Sequence, residues 1–90
     1  MIENDYPISE HYKPHILDGE TIARGGGWWT AVLLIADPVD KAKFVALYRW
    51  QHTAAGWKIR KQFSFRATEQ IAKAVNVLQR FSARLAESNL

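Results

Sequence analysis

An α+β domain, a twisted antiparallel sheet of three to four strands followed by one C-terminal amphipathic helix, is the fold this 90-residue chain predicts. Three observations carry that expectation. Trp28 to Ala36 and Phe44 to Gln51 are apolar or alternating runs bounded by glycine, proline and aspartate. Trp57 to Phe65 alternates with a period of two, apolar against cationic. From Thr68 onward the apolar residues recur at steps of three and four.

The elements follow in order. Residues 1–14 hold two prolines, no periodicity and an acidic excess, and read as a loosely held arm; residues 15–90 read as one ββββα-type domain. Ile16-Leu17 and Thr21 to Arg24 flank Asp18-Gly19, a pair that closes two-residue hairpins, so this stretch is either a short hairpin or an irregular first strand. Gly25-Gly26-Gly27 breaks the chain before Trp28 to Ala36. That near-continuous apolar run predicts burial of both faces, or one face in the core and the other in a subunit contact. Asp37-Pro38 ends it, because proline cannot extend a ladder and aspartate favours turns. His52 to Gly56 is the expected loop between the last two strands. Lys61 interrupts the alternation of Trp57 to Phe65 by placing a charge on the apolar parity.

Thr68 is a suitable N-cap, and Glu69 lies in the first turn, where the helix dipole favours negative charge. Ile71, Ala74, Val75, Leu78, Phe81 and Leu85 then form a continuous stripe, which has to be buried against the sheet, a partner helix, or both. A chain this short buries roughly 60–65% of its unfolded surface, so a homodimer is the expected state.

Composition narrows the chemistry. Cysteine is absent, which removes disulfides, thiolate metal sites and cysteine nucleophiles. The longest apolar run is too short to span a bilayer, and no basic-then-apolar leader is visible, so the expected location is cytoplasmic. Ser9, Ser64, Ser82 and Ser88 lack a nucleophile-elbow setting, and Asp37 with Asp40 suits a turn better than an acid–base pair. His11 and His15 have helical metal-ligand spacing, but Pro14 lies between them. The glycine triplet precedes a strand, not the helix N-terminus that phosphate loops use. Neither enzyme activity, a cofactor nor a metal is expected.

Charge is unevenly distributed. Residues 1–20 carry five acids against Lys13, whereas residues 41–90 carry ten cations against Glu69 and Glu87. A basic body behind an acidic leader suits a polyanion partner. Single strands are held by cationic grooves along phosphates and by rings that stack on bases. Phe44, Tyr48 and Trp50 share one parity of their strand, and Val45 and Leu47 the other. If the aliphatic parity faces the helix, the rings face outward, with Trp57 as a further ring. Arg49, Lys58, Arg60, Lys61 and Arg66 would then meet phosphates. In the reverse arrangement the rings are core and Arg49 and Gln51 face outward. The expected partner is single-stranded DNA or RNA.

The order of features resembles the positive cofactor four family of single-stranded-DNA-binding transcriptional coactivators, over residues 28–81. Lys43 to Trp50 resembles that family's central strand, which ends in a base-stacking tryptophan, and Trp50 matches that position. Gly56 to Phe65 resembles its basic strand leading to an apolar-Ser-apolar step, with Gln62 where the family carries glycine. Thr68-Glu69-Gln70 matches the start of its helix. The resemblance implies a curved four-stranded sheet, a dimer joined through its helices, and a role in transcription or DNA maintenance. Whirly and purine-rich-element-binding domains share the plan. The alternative reading is an assembly module that uses Trp28, Trp29 and the helix stripe as its contact surface.

Overall fold

The computed structural model describes residues 5–88. Four strands, β1 (Ile16–Gly25), β2 (Trp28–Ala36), β3 (Lys43–Thr53) and β4 (Gly56–Phe65), form one antiparallel meander in the order β1-β2-β3-β4, and a single helix, α1 (Thr68–Ser88), follows. This is the α+β architecture expected, with the full four strands.

The connections are local chemistry. Gly26 and Gly27, at φ 59° and 82°, make the two-residue β1–β2 turn, whose twist needs positive φ at both positions. Ala54-Ala55 joins β3 to β4, with Gly56 at φ 104°; β3 extends to Thr53, so this loop is shorter than expected. Between β2 and β3, Asp37 accepts the Val39 N–H at 2.8 Å and the Asp40 N–H at 3.4 Å. Asp18-Gly19 makes no hairpin. β1 runs through it as one irregular strand, with register shifts between Ile16 and Asp18 and between Thr21 and Ala23.

Register divides the sheet into two faces, because directly paired residues point the same way. One face carries the rows Ile16–Ile35–Phe44, Gly19–Leu33–Ala46, Thr21–Ala31–Tyr48 and Arg24–Trp29–Trp50. This is the core, and the N-terminal segment covers it: Tyr6 (4% exposed) and Ile8 (9%) belong to the buried cluster, with Tyr12 packed beside them. The expectation of a loosely held arm is therefore corrected for residues 5–14, since burying those side chains anchors the segment; residues 1–4 lie outside the described residues. A short 3-10 turn, Lys13–His15, delivers the chain into β1.

The other face is open. β2 is buried on one side only: Trp29, Ala31, Leu33 and Ile35 are core, while Leu34 on the opposite parity is exposed and Trp28, Thr30 and Val32 are half-covered. Among the described residues, α1 meets the sheet chiefly through β4. Its first intrahelical bond runs from the Ile71 N–H to the Ala67 carbonyl, so Thr68 lies inside the helix and Ala67 occupies the cap position. Val75, Leu78, Phe81 and Leu85 are exposed, Leu78 at 66%. The radius of gyration is 15.0 Å, against about 12 Å for a compact chain of this length. The projecting helix accounts for the excess.

Candidate nucleic-acid interface

The candidate interface is built on the half of the open face nearest the β1–β2 turn. Two cross-strand rows lie there, Ala23–Thr30–Arg49–Lys61 and Gly25–Trp28–Gln51–Lys58. Arg49 and Lys61 are direct partners, an arrangement that costs stability through like-charge repulsion. The Arg49 guanidinium lies 4.2 Å from the centroid of Trp28, so one ring and one cation form a stacked unit. Among the described residues none of Arg49, Lys58, Arg60 and Lys61 is ion-paired to a carboxylate, and the pairs Lys13–Glu10 and Arg66–Asp37 lie outside this patch.

A bulge completes it. Lys61 pairs with Arg49 and Ile59 pairs with Trp50, leaving Arg60 as the extra residue. Arg60 Nε donates to Gln51 Oε1 at 3.0 Å, which brings its charge to the open face beside Lys58. The bulge also reverses the parity of β4. Trp57 and Ile59 share the core face, while Lys58, Lys61, Phe63 and Phe65 share the open one. The expectation of one uniformly apolar face for this strand is thereby corrected, and the Lys61 interruption was its visible sign. Phe63 is 62% exposed and meets Phe65 edge-on at 5.0 Å. A shallow groove bounded by Thr30, Leu47, Arg49, Lys61 and Phe63 shares Thr30 and Arg49 with a second one beside Trp28 and Gly25. Together they cross all four strands.

The expected stacking rings lie elsewhere. Phe44, Tyr48 and Trp50 are buried, Trp50 completely, so the outward arrangement is corrected. The ring parity does face away from the aliphatic parity, as reasoned, but the N-terminal segment occupies that side and the helix does not cover the aliphatic one. Burial, with the nearby Tyr12 phenol adding to it, pushes the Tyr48 phenol above its ordinary range. Trp57 is half-buried, edge-on to Trp29 at 5.5 Å and to His52 at 5.0 Å. Trp29, offered as an assembly contact, is a core residue whose Nε1 donates to Thr21 Oγ1 at 2.9 Å.

Of the five expected cations, Arg49, Lys58, Arg60 and Lys61 converge on the open face. Arg66 does not: its guanidinium sits 4.5 Å over the Phe44 ring and 3.7 Å from Asp37 Oδ2. Sequence reasoning missed Trp28 and Phe63 as rings beside the cations. The alternation within Trp28-Trp29 pointed to the first, because only one of the two can enter the core.

Beyond the patch, the open face turns apolar toward α1, in the rows Asp18–Leu34–Val45–Phe65 and Glu20–Val32–Leu47–Phe63. Among the described residues no cluster of three potential metal ligands occurs, and no helix is long and apolar enough to cross a membrane. Neither protein-family models, curated proteins nor solved structures contain a match to this chain.

Proposed function

We propose that this protein binds single-stranded nucleic acid, without chemistry, through the cationic half of its open sheet face. The observation that carries this reading is the directly opposed Arg49–Lys61 pair, flanked by Trp28 and Phe63 and free of any carboxylate partner. A repulsive pair that lowers stability is accounted for by a polyanion that neutralises it. Arg49, Lys58, Arg60 and Lys61 follow phosphates, and the rings of half-covered Trp28 and exposed Phe63 stack on unpaired bases, each worth about 1–3 kcal/mol. Stacking demands bases outside a duplex, which is why a single strand is favoured. DNA and RNA present the same phosphates and flat bases to these groups.

The decisive test is titration of a labelled oligonucleotide at two salt concentrations, with a duplex of the same sequence as competitor. Steep salt dependence and single-strand preference support the reading. A flat salt response, or equal affinity for the duplex, rejects it.

A second reading, assembly, rests on its own observation: the α1 stripe of Val75, Leu78, Phe81 and Leu85 is exposed although the segment is strongly amphipathic. The partner proposed is a second copy of the chain, so the binding unit is a homodimer with two cationic patches. Sedimentation across a concentration series tests this; a monomer at all concentrations rejects it.

A further inference from the structure

Tyr6 occupies a slot shaped for a flat ring. Its ring centroid lies 5.5 Å from that of Trp29 and 6.1 Å from that of Trp50, at an interplanar angle of 22° to the latter. The row continues from Trp50 to Tyr48 at 5.3 Å and 4°. Gly19 forms the floor. A Cβ there would stand 2.7 Å from both Tyr6 Cε2 and Leu33 Cδ2, so the slot exists because that residue has no side chain.

The ring is held by packing alone. Among the described residues no hydrogen bond joins residues 5–12 to the sheet, and the backbone bonds of this segment close within it, Ile8 N–H to Tyr6 and Tyr12 N–H to Ser9 among them. The closed form also leaves the Trp50 Nε1 donor buried without a partner. Such an unmet donor weighs against the arrangement that creates it. Arg24 lies over the outer wall, 3.9 Å from the Trp29 centroid, and Asp5 sets an exposed carboxylate one residue from the inserted ring. Ring and neighbouring anion together reproduce the parts of a nucleotide.

We infer that the Tyr6 slot is a binding pocket for one unpaired base, closed by the chain's own ring and opened when residues 5–7 swing out while Ile8 stays seated. The inference rests on the single-strand reading above but uses the opposite face of the sheet. Displacement exposes Trp29 together with Trp50 and Tyr48, the latter two being rings that the alternation of β3 had marked for stacking.

The test uses a labelled oligothymidylate with the full chain, Y6A, R49E/K61E and the triple variant. Removing the plug tightens binding by roughly tenfold or more, the range one stacked base contributes. In the wild type, adding the oligonucleotide raises exchange of the Ile8 amide, whose bond to the Tyr6 carbonyl is lost as the ring leaves. If folded Y6A binds no more tightly than wild type and exchange there stays unchanged with ligand bound, the slot is only core. Should Y6A fail to fold, the wild-type exchange decides alone. The two readings separate cleanly: binding lost in R49E/K61E with unchanged exchange keeps the open face and rejects the slot. Binding kept in R49E/K61E with raised exchange keeps the slot and rejects the open face. No binding by either wild type or Y6A rejects both.

Discussion

Arg49 on β3 and Lys61 on β4 face each other across the ladder, and among the described residues neither is ion-paired to a carboxylate. Replacing Lys61 by glutamate turns this repulsion into attraction. K61E is expected to raise stability by roughly 0.2–1 kcal/mol while weakening oligonucleotide binding. Urea unfolding and anisotropy titration on the same preparation read both signs. A loss of both stability and binding would make Lys61 a structural residue.

Salt dependence counts the phosphates. Each cation that meets one contributes about 0.7 to the slope of log affinity against log salt for a single strand. R49A and K61A should each reduce the wild-type slope by about that amount, whereas R66A, whose guanidinium is engaged by Asp37 and Phe44, should leave it unchanged.

Gly19 is required for space, and G19A tests that directly. The added methyl collides with Tyr6 and Leu33, and overpacking of this kind costs typically about 1–3 kcal/mol. Denaturant titration should show the loss, together with altered tryptophan fluorescence as Tyr6 leaves Trp29 and Trp50.

Acid should loosen the β2–β3 turn. The Val39 N–H chiefly, then the Asp40 N–H and the Arg66 guanidinium, hold the Asp37 carboxyl below its ordinary value against the opposing effect of partial burial. Because the folded pKa is depressed, the stabilisation is complete above the ordinary aspartate pKa and is lost as pH falls through the lower folded one. D37N should flatten stability against pH in that window and leave the profile above it unchanged in shape.

The helix prediction concerns assembly. L78E places a charge on a side chain that is already exposed, so the monomer fold should persist by circular dichroism. Sedimentation should then show the dimer shifted to monomer. Wild type and L78E sedimenting alike would remove α1 from the interface.

The order and type of β2, β3, β4 and α1 were legible in periodicity, whereas β1 stayed open between a short hairpin and an irregular strand. Strand alternation, the three- and four-residue steps of α1 and the glycine and Asp-Pro breaks are local signals, and local backbone preference acts on them directly. The pairing of β3 with β4 was legible as well, since it follows from a short connection. The convergence of Lys58 with Lys61 was not, because simple alternation puts them on opposite faces and only the bulge at Arg60 brings them together. What periodicity could not express was which side of the sheet is covered. Alternation is symmetric: it says that Tyr48 and Val45 point oppositely, and it is silent on which of them meets solvent. That choice fell to Tyr6 and Ile8, more than thirty residues before Tyr48 in sequence: both are buried on the ring side, with the Tyr6 ring against Trp29 and Trp50, and this makes that side the core. One bulge at Arg60 then moved Phe63 to the opposite face from Trp57, because a single extra residue inverts every side chain beyond it. The chain's own letters determined a meander of three to four strands, its trailing helix and a basic last strand; the packing of distant side chains decided which rings stand beside the cations.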